Sequence, residues 1–202
     1  MLGFVLSACA LAAPIRAQVI DFESNGLHYK TMTKGGLTVM FAVLPSHVRS
    51  YAILQVSVSN GSPISWTVRP EDFHFDRADG NVLTASDARM VIDSLIEKAS
   101  RGDVIRLVTA YEAGLYGNTR LRSSDGYEER RRAAMAEMTN GKLKAAAAAS
   151  AIAFVPTKLM PGQSTDGAIF FSNGGKPLGQ GRLLVHAGAE DFDFTADAEA
   201  GK

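Results

Sequence analysis

The sequence predicts a mainly β protein, namely an antiparallel β-sandwich with a helical insertion between its two halves. Three observations lead to this fold class. Short apolar runs with strand periodicity fill residues 18–85 and return over residues 157–194, which is typical of sheet structure. Residues 86–156 instead follow a period of about 3.6, which is typical of amphipathic helices. Each strand segment leaves an apolar face to cover, so one sandwich completed across the helices is the simplest arrangement.

The composition sets the first limits on function. The chain has 202 residues, of which 46% are hydrophobic, enough for one domain with a sizeable core. It carries 21 basic and 21 acidic residues, so no global field attracts nucleic acid or an anionic membrane. Cys9 is the single cysteine, which excludes an internal disulfide. No apolar run reaches about eighteen residues, so a multi-span membrane protein is excluded.

The N-terminal residues 1–17 are interpreted as an export signal. Residues 2–14 form an uncharged apolar run of secretory length, and the small Ala17 is suited to precede a cleavage site. The basic residue that usually precedes such a run is missing. The residues up to Cys9 also resemble a lipobox, so lipidation of Cys9 is an alternative, and it is the only membrane contact predicted. An uncleaved anchor or a buried segment is the third alternative. All of these alternatives except the buried segment place the protein in the periplasm or cell envelope.

The first half of the sandwich is predicted from alternation and turn chemistry. Residues 27–33 and 37–44 flank a Lys-Gly-Gly turn and predict a hairpin. Residues 54–58 and 64–68 alternate on either side of a turn at 60–63, which predicts a second hairpin with Trp66 pointing inward. Further strands are expected around Phe73 and Phe75, and again at residues 82–83 after an Asp-Gly turn.

The insertion is predicted to hold four helices. Ser86 is the expected N-cap of the first, whose apolar stripe runs from Ala88 to Ala99. The second follows Asp103 and ends around Gly117, and residues 118–126 form a loop. Residues 127–138 and 142–153 are helix formers, and the arginines at 130–132 are interpreted as a solvated face because glutamates precede them.

The second half of the sandwich follows Pro156, which ends the helical pattern. Strands are predicted around residues 158–160, 167–172, 183–187 and 192–194. Residues 195–202 are predicted to form a disordered tail.

Four segments carry a resemblance at the level of the fold. These are SVSNGS at 57–62, WTVRPEDFHF at 66–75, LMPGQSTDGAIFF at 159–171 and GRLLVHA at 181–187. Together they resemble the immunoglobulin-like modules of uncharacterised bacterial secreted proteins and lipoproteins, over residues 51–83 and 159–194. Residues 86–156 have no usual counterpart in such modules. The resemblance implies a binding or structural role in the envelope and no active site.

No chemical motif predicts an enzyme, a metal site or a cofactor. No serine lies in a nucleophile-elbow context, and each histidine stands alone in the sequence and is interpreted as an exposed strand or loop residue. The acidic segment at 71–80, with Asp76 and Asp79, departs from the spacing of a calcium loop, so a structural turn is preferred. The four histidines are His28, His47, His74 and His186.

The end of the second predicted helix is the most informative segment for function. Tyr111 and Tyr116 lie there beside glycines, and they either form an exposed aromatic patch or cover the core, which is the preferred interpretation. The sequence predicts a non-enzymatic envelope or secreted protein that contacts an unidentified envelope protein, or its own copies, through the insertion. The alternative is a binder of a small ligand or carbohydrate in a cleft between helices and sheet, contacted by Tyr111, Tyr116 and Arg120.

Overall fold

The computed structural model describes residues 18–45, 50–98, 101–121, 123–124, 126–136, 147 and 150–195. The predicted export signal with Cys9, the histidine at position 47 and the tail beyond Thr195 lie outside these residues. The prediction of a mainly β protein is confirmed, because antiparallel strands make up the larger part of the regular structure.

The strands of the described residues form three antiparallel sheets. The five-stranded sheet contains, in spatial order, β1 (Ile20–Ser24), β2 (Leu27–Lys34), β3 (Leu37–Val43), β4 (Tyr51–Asn60) and β9 (Ser164–Ser172). The four-stranded sheet contains β11 (Glu190–Phe194), β10 (Gly181–Ala187), β6 (Phe73–Arg77) and β7 (Val82–Thr84). The third sheet pairs β5 (Trp66–Val68) with β8 (Thr157–Leu159).

The helices lie between β7 and β8 in the chain. They are α1 (Ala88–Lys98), α2 (Arg101–Gly117) and α3 (Tyr127–Ala136), and residues 147 and 150–152 are also helical. Short 3-10 turns occupy Pro70–Asp72 and Thr119–Leu121. Within the described ranges, no helix is both long and apolar enough to cross a membrane.

Both ends of the helical segment are attached to β9. Ala85 bridges Phe171 as the chain leaves the strands, and Ala153 bridges Ala168 as it returns. The backbone N–H of Phe154 also donates to the carbonyl of Ala168 at 2.9 Å. The helices therefore lie against the five-stranded sheet.

Strands β4 and β9 of the five-stranded sheet are buried on both faces. Leu54 and Phe171 point towards the four-stranded sheet and share a core with Phe73. Ile53 and Phe170 point the other way, into a second core with the helices. This explains why β4 is almost continuously buried, whereas strands with one solvated face alternate. The layers are the four-stranded sheet, the five-stranded sheet and the helices.

The hairpin between β2 and β3 is confirmed. The strands pair with Lys34 opposite Leu37, and the two-residue turn between them uses positive φ angles of 55° and 79° at Gly35 and Gly36. Such angles at both central residues suit the twist of a two-residue hairpin and favour glycine. Trp66 is buried as predicted, and its Nε1 donates to Ser62 Oγ at 2.7 Å.

The second predicted hairpin is wrong. β4 pairs with β3 and β9, and β5 pairs with β8 instead. The Asn60 side chain redirects the chain, because its Oδ1 accepts from the backbone of Ser62 at 2.9 Å and its Nδ2 donates to the carbonyls of Ile64 at 2.7 Å and Leu159 at 3.1 Å. The turn thus leads out of the sheet, since both edges of β4 are already occupied.

The start of the first helix also differs from the prediction. Asp87, and not Ser86, caps α1, because Asp87 Oδ1 accepts from the backbone N–H of Met90 at 3.0 Å. The backbone N–H of Ser86 instead donates to the carbonyl of Phe170 at 2.7 Å, which ties this segment to β9. Serine and aspartate both favour the N-cap position, so propensity alone does not show which of two adjacent residues caps the helix.

Candidate functional site

The helix-facing side of the five-stranded sheet is apolar in one part and polar in another. The cross-strand register places Thr31 opposite Met40 and Met40 opposite Ser57. The next row places Thr38 opposite Ser59. Because side chains two residues apart share a face, these hydroxyls lie on the same side as Met40, which belongs to the core beneath the helices.

A pocket of about 220 Å³ lies over these two rows. Its lining consists of Phe22, Thr31, Thr38, Met40, Ser57, Ser59 and Arg120. Four strand hydroxyls therefore face a single guanidinium group, with a thioether and a phenyl ring completing the walls. We refer to this site as the Arg120 pocket.

Arg120 is positioned by the turn that follows α2. The buried Asn118 accepts through Oδ1 from the backbone N–H of Arg120 at 3.1 Å. Leu121, also buried, inserts into the core beneath the helices. The Arg120 guanidinium carbon lies 5.1 Å from the centre of the Phe22 ring, within the range of a cation–π contact. Phe22 in turn stacks on Tyr29 with a 5.4 Å centroid separation.

The end of α2 is also held by the turn between β1 and β2. Ser24 Oγ donates to the carbonyl of Gly117 at 3.1 Å, and Asn25 Nδ2 donates to the carbonyl of Ala113 at 2.8 Å. The first bond satisfies a carbonyl that the end of the helix leaves without an intrahelical partner, and the second ties the last turn to the same loop. The backbone that carries Arg120 is therefore fixed from two directions.

The Arg120 guanidinium places a permanent positive charge at the pocket. In the described part of the chain, no carboxylate pairs with this guanidinium, and its recorded side-chain contact is the Phe22 ring. Arginine stays protonated at all physiological pH values. The pocket therefore combines hydrogen-bonding hydroxyls with a cation that is oriented but not neutralised.

A buried polar group lies behind the pocket wall. Gln55, on the same face of β4 as Ser57, accepts from Tyr29 Oη at 3.2 Å and donates to the Tyr111 carbonyl at 3.0 Å. Burial raises the pKa of Tyr29 to about 12, so its hydroxyl stays neutral. A methyl group at Gly114 would overlap the Gln55 amide oxygen, so glycine allows α2 to approach the sheet this closely.

Asp166 joins β9 to the helices. Its carboxylate is 2% exposed and accepts from Tyr111 Oη at 2.5 Å, from the backbone N–H of Tyr127 at 3.1 Å and from Ser123 Oγ. Burial, followed by the charge of Asp166, raises the pKa of Tyr111 well above its usual range. The carboxylate is buried and accepts three hydrogen bonds from the helical segment, which makes this cluster a structural junction.

Arg130 and Arg132 of α3 differ in burial, which the sequence did not predict. Arg130 is partly buried and donates to the Asp166 carbonyl at 2.7 Å and to the Ala151 carbonyl at 3.0 Å, so its prediction as a solvated residue is wrong. Arg132 is exposed and pairs with Glu129 at 2.5 Å, as a solvated face requires. The difference arises because Arg130 faces β9.

The three residues predicted as contacts separate in the structure. Tyr111 is fully buried in the core beneath the helices, so it is not part of an exposed aromatic patch. Tyr116 is 46% exposed, and Arg120 lines the pocket. The sequence did not predict a role for the strand hydroxyls of Thr31, Thr38, Ser57 and Ser59. Their position on an otherwise apolar face of the sheet could be recognised only once the strand register was known.

A larger cavity of about 1020 Å³ opens at one end of the interface between the two large sheets. Its charged side chains already have partners: Arg182 pairs with Asp76 at 3.1 Å and with Asp193 at 3.0 Å, and Arg77 pairs with Asp79 at 3.4 Å. These pairs also explain the acidic segment at 71–80 as structural. The smaller pocket is the stronger candidate, because its cation is not neutralised.

The histidines and carboxylates of the described residues form no larger metal-binding cluster. The residues with described positions contain no group of three or more histidine, cysteine, aspartate or glutamate side chains arranged to hold an ion. His74 and His186, which stand apart in the sequence, lie on the neighbouring strands β6 and β10, and their ring centroids are 5.5 Å apart. Adjacent strands bring together residues that are distant in the sequence.

Comparison with models of protein families, with curated proteins and with solved structures found no match. The immunoglobulin-like resemblance stays a prediction. The function of this chain is therefore inferred from the geometry of the site itself.

Proposed function

We propose that this protein is a non-catalytic binding protein that holds a small polar ligand with a carboxylate, such as an acidic monosaccharide, in the Arg120 pocket. One observation carries the proposal. The Arg120 guanidinium lies over the Phe22 ring beside four strand hydroxyls and has no carboxylate partner among the described residues. An oriented, unneutralised arginine favours an anionic ligand group.

The chemistry of the lining supports this class of ligand. The planar guanidinium presents paired N–H donors that match the two oxygens of a carboxylate. Hydroxyls such as those of Thr38 and Ser59 both donate and accept hydrogen bonds, which suits the hydroxyls of a sugar. The lining residues include no carboxylate or imidazole to transfer a proton, and this supports binding without turnover.

The size of the pocket supports a single small unit. Its volume of about 220 Å³ is below the range of about 300–1,000 Å³ typical of sites for drug-sized molecules. One sugar ring or a comparable small acid is therefore the proposed occupant.

Isothermal titration calorimetry with glucuronate, glucose and acetate tests the proposal. Glucuronate is expected to bind most tightly, because it alone offers both a carboxylate and a set of hydroxyls. Arg120→Gln is expected to weaken glucuronate binding by about 10- to 100-fold, the loss of one charge-assisted interaction of roughly 1.5–3 kcal/mol. Arg132→Gln is the matched control, because that arginine is exposed and remote from the pocket lining. Equal weakening by both substitutions, or equal affinity for glucose, contradicts the proposal.

A protein partner for the helical insertion is the second candidate function. Its support is the exposure of large apolar side chains on α1 and α2, namely Met90 at 69%, Ile105 at 50% and Tyr116 at 46%. Capture from an envelope fraction by the wild type, compared with a Met90→Ser/Ile105→Ser variant, tests this candidate. Identical captured proteins would contradict a role for these side chains.

The immunoglobulin-like fold and the exported location are part of the same proposal. Two antiparallel sheets sharing one core support a sandwich, and an envelope location would expose the pocket to external sugars and acids. Mass spectrometry of the mature N-terminus tests the export signal, with Gln18 as the expected first residue. A chain that retains residues 1–17 without lipid on Cys9 would contradict export by either predicted route.

A further inference from the structure

A second site is suggested by the outer face of the four-stranded sheet. His74 on β6 lies opposite Leu184 on β10, and His186 follows two residues later on the same strand. Their strand neighbours Phe73 and Val185 point into the core, so the two imidazoles point outwards on one face. The diagonal arrangement brings the ring centroids to 5.5 Å, with an angle of 58° between the ring planes.

This separation matches that of two imidazoles bound to one metal ion. A zinc–nitrogen bond is about 2.1 Å long, so the centre of a ligating ring lies about 3.2 Å from the metal. Two such centres at a tetrahedral angle are about 5.3 Å apart, close to the observed 5.5 Å.

Hydrogen bonds orient both rings for ligation. His186 Nδ1 lies 2.7 Å from Asp191 Oδ1. A neutral imidazole that donates from Nδ1 to a carboxylate keeps the Nε2 lone pair for a metal, and the carboxylate increases the basicity of that nitrogen. His74 Nδ1 lies 3.5 Å from Thr84 Oγ1, and the tautomer that donates to this hydroxyl also leaves Nε2 available.

The surroundings favour a cation and leave room for water. The Asp191 carboxylate contacts His186 directly, at 2.7 Å. The His186 side chain is 51% exposed, so solvent reaches the position between the rings. Imidazole ligands suit zinc, copper and nickel, whereas calcium and magnesium prefer oxygen ligands.

We propose that His74 and His186 form a two-histidine site for a divalent transition-metal ion, with Zn²⁺ as the principal occupant and water completing the coordination. The site lies on the opposite side of the molecule from the helices, so it is independent of the Arg120 pocket. Asp191 acts as a positioning residue that holds the His186 ring and its tautomer.

Calorimetric titration of the full chain with ZnCl₂ at pH 7.5 tests the proposal. A Cys9→Ser background removes the only thiol that would compete for zinc. We expect one Zn²⁺ per chain, and a loss of affinity of about tenfold or more for each of His74→Gln and His186→Gln. Asp191→Asn is expected to weaken binding by about 10- to 100-fold without changing the stoichiometry, as for other groups that orient metal ligands.

His28→Gln is the matched control, because His28 is exposed on β2 of the other large sheet. This variant is expected to bind zinc as the Cys9→Ser parent does. Affinity should also fall as the pH is lowered through the range in which imidazoles protonate. Two-dimensional NMR of the imidazole nitrogens provides a direct readout, with the Nε2 signals of His74 and His186 shifting together. Zinc binding that survives either substitution, or that His28→Gln weakens equally, overturns the proposal.

Discussion

Substitution of Asp166 by alanine removes the acceptor at the centre of the junction between β9 and the helices. The wild-type carboxylate accepts from Tyr111 Oη, the Tyr127 backbone and Ser123 Oγ. In the variant, the fully buried Tyr111 hydroxyl and the buried N–H at the start of α3 both lose this acceptor. The substitution therefore tests whether the helices depend on this carboxylate for their place on the sheet.

The expected cost follows from the groups left without partners. Each buried donor that loses its acceptor costs about 1–3 kcal/mol, so two such donors predict a decrease of about 2–6 kcal/mol in the free energy of unfolding. That is a large fraction of the 5–15 kcal/mol that is roughly typical of a globular domain. Asp166→Asn keeps the size and one acceptor oxygen, so it should cost less, about 1–3 kcal/mol.

Urea denaturation followed by circular dichroism measures these values, and a double-mutant cycle with Tyr111→Phe separates the shared interaction. Because Tyr111 and Asp166 are hydrogen-bonded to each other, the two substitutions together should cost at least about 1 kcal/mol less than their sum. Strict additivity, or an Asp166→Ala variant within about 1 kcal/mol of wild type, would refute the view that this junction holds the helices.

Two further predictions concern the packing of α2 on the sheet. Gly114→Ala is expected to lower the free energy of unfolding by about 1–3 kcal/mol, because the added methyl group would overlap the Gln55 amide oxygen and approach Leu27 Cδ1 to 2.9 Å. Gly102→Ala is the control: it lies at an exposed position of the same helix and should not destabilise the protein. The pKa of Tyr29 is raised from 10.0 to about 12 in the folded protein, so its stabilising contribution is complete below pH 10 and is lost as the pH rises towards 12. Tyr29→Phe should therefore reduce the fall in unfolding free energy measured between pH 9 and about pH 11.5, and an unchanged slope would contradict the raised pKa.

Much of the secondary structure could be predicted because its signals are local. The β-rich runs at 27–33 and 37–44 and the glycines at 35 and 36 predict the β2–β3 hairpin, since the turn requires positive φ angles at those two positions. The change of period after Thr84 predicts α1 and α2, and Gly117 correctly marks the end of α2. In each case the residues that determine the structure lie within one turn or one strand.

Other features depend on contacts between distant residues. Strand β5 pairs with β8, about ninety positions later in the chain. No local sequence pattern predicts which strand β5 pairs with. The burial of Tyr111 and Arg130 depends on which face of each helix meets β9. Sequence periodicity identifies an apolar stripe but does not say which polar residues at its border find acceptors on the sheet.

The two proposed sites show the same division. Propensity and periodicity act over a few residues, so they are enough to predict that Arg120 follows a helix end and that His74 and His186 lie on strands. The approach of Arg120 to the hydroxyls of β2, β3 and β4, and of the two imidazoles to each other, instead depends on how the strands pair in the folded protein. Strand register determines which of these side chains share a face, because a shift of one residue would turn each of them to the other side of the sheet. The register is itself set by the packing of whole sheets, which no short segment of sequence specifies.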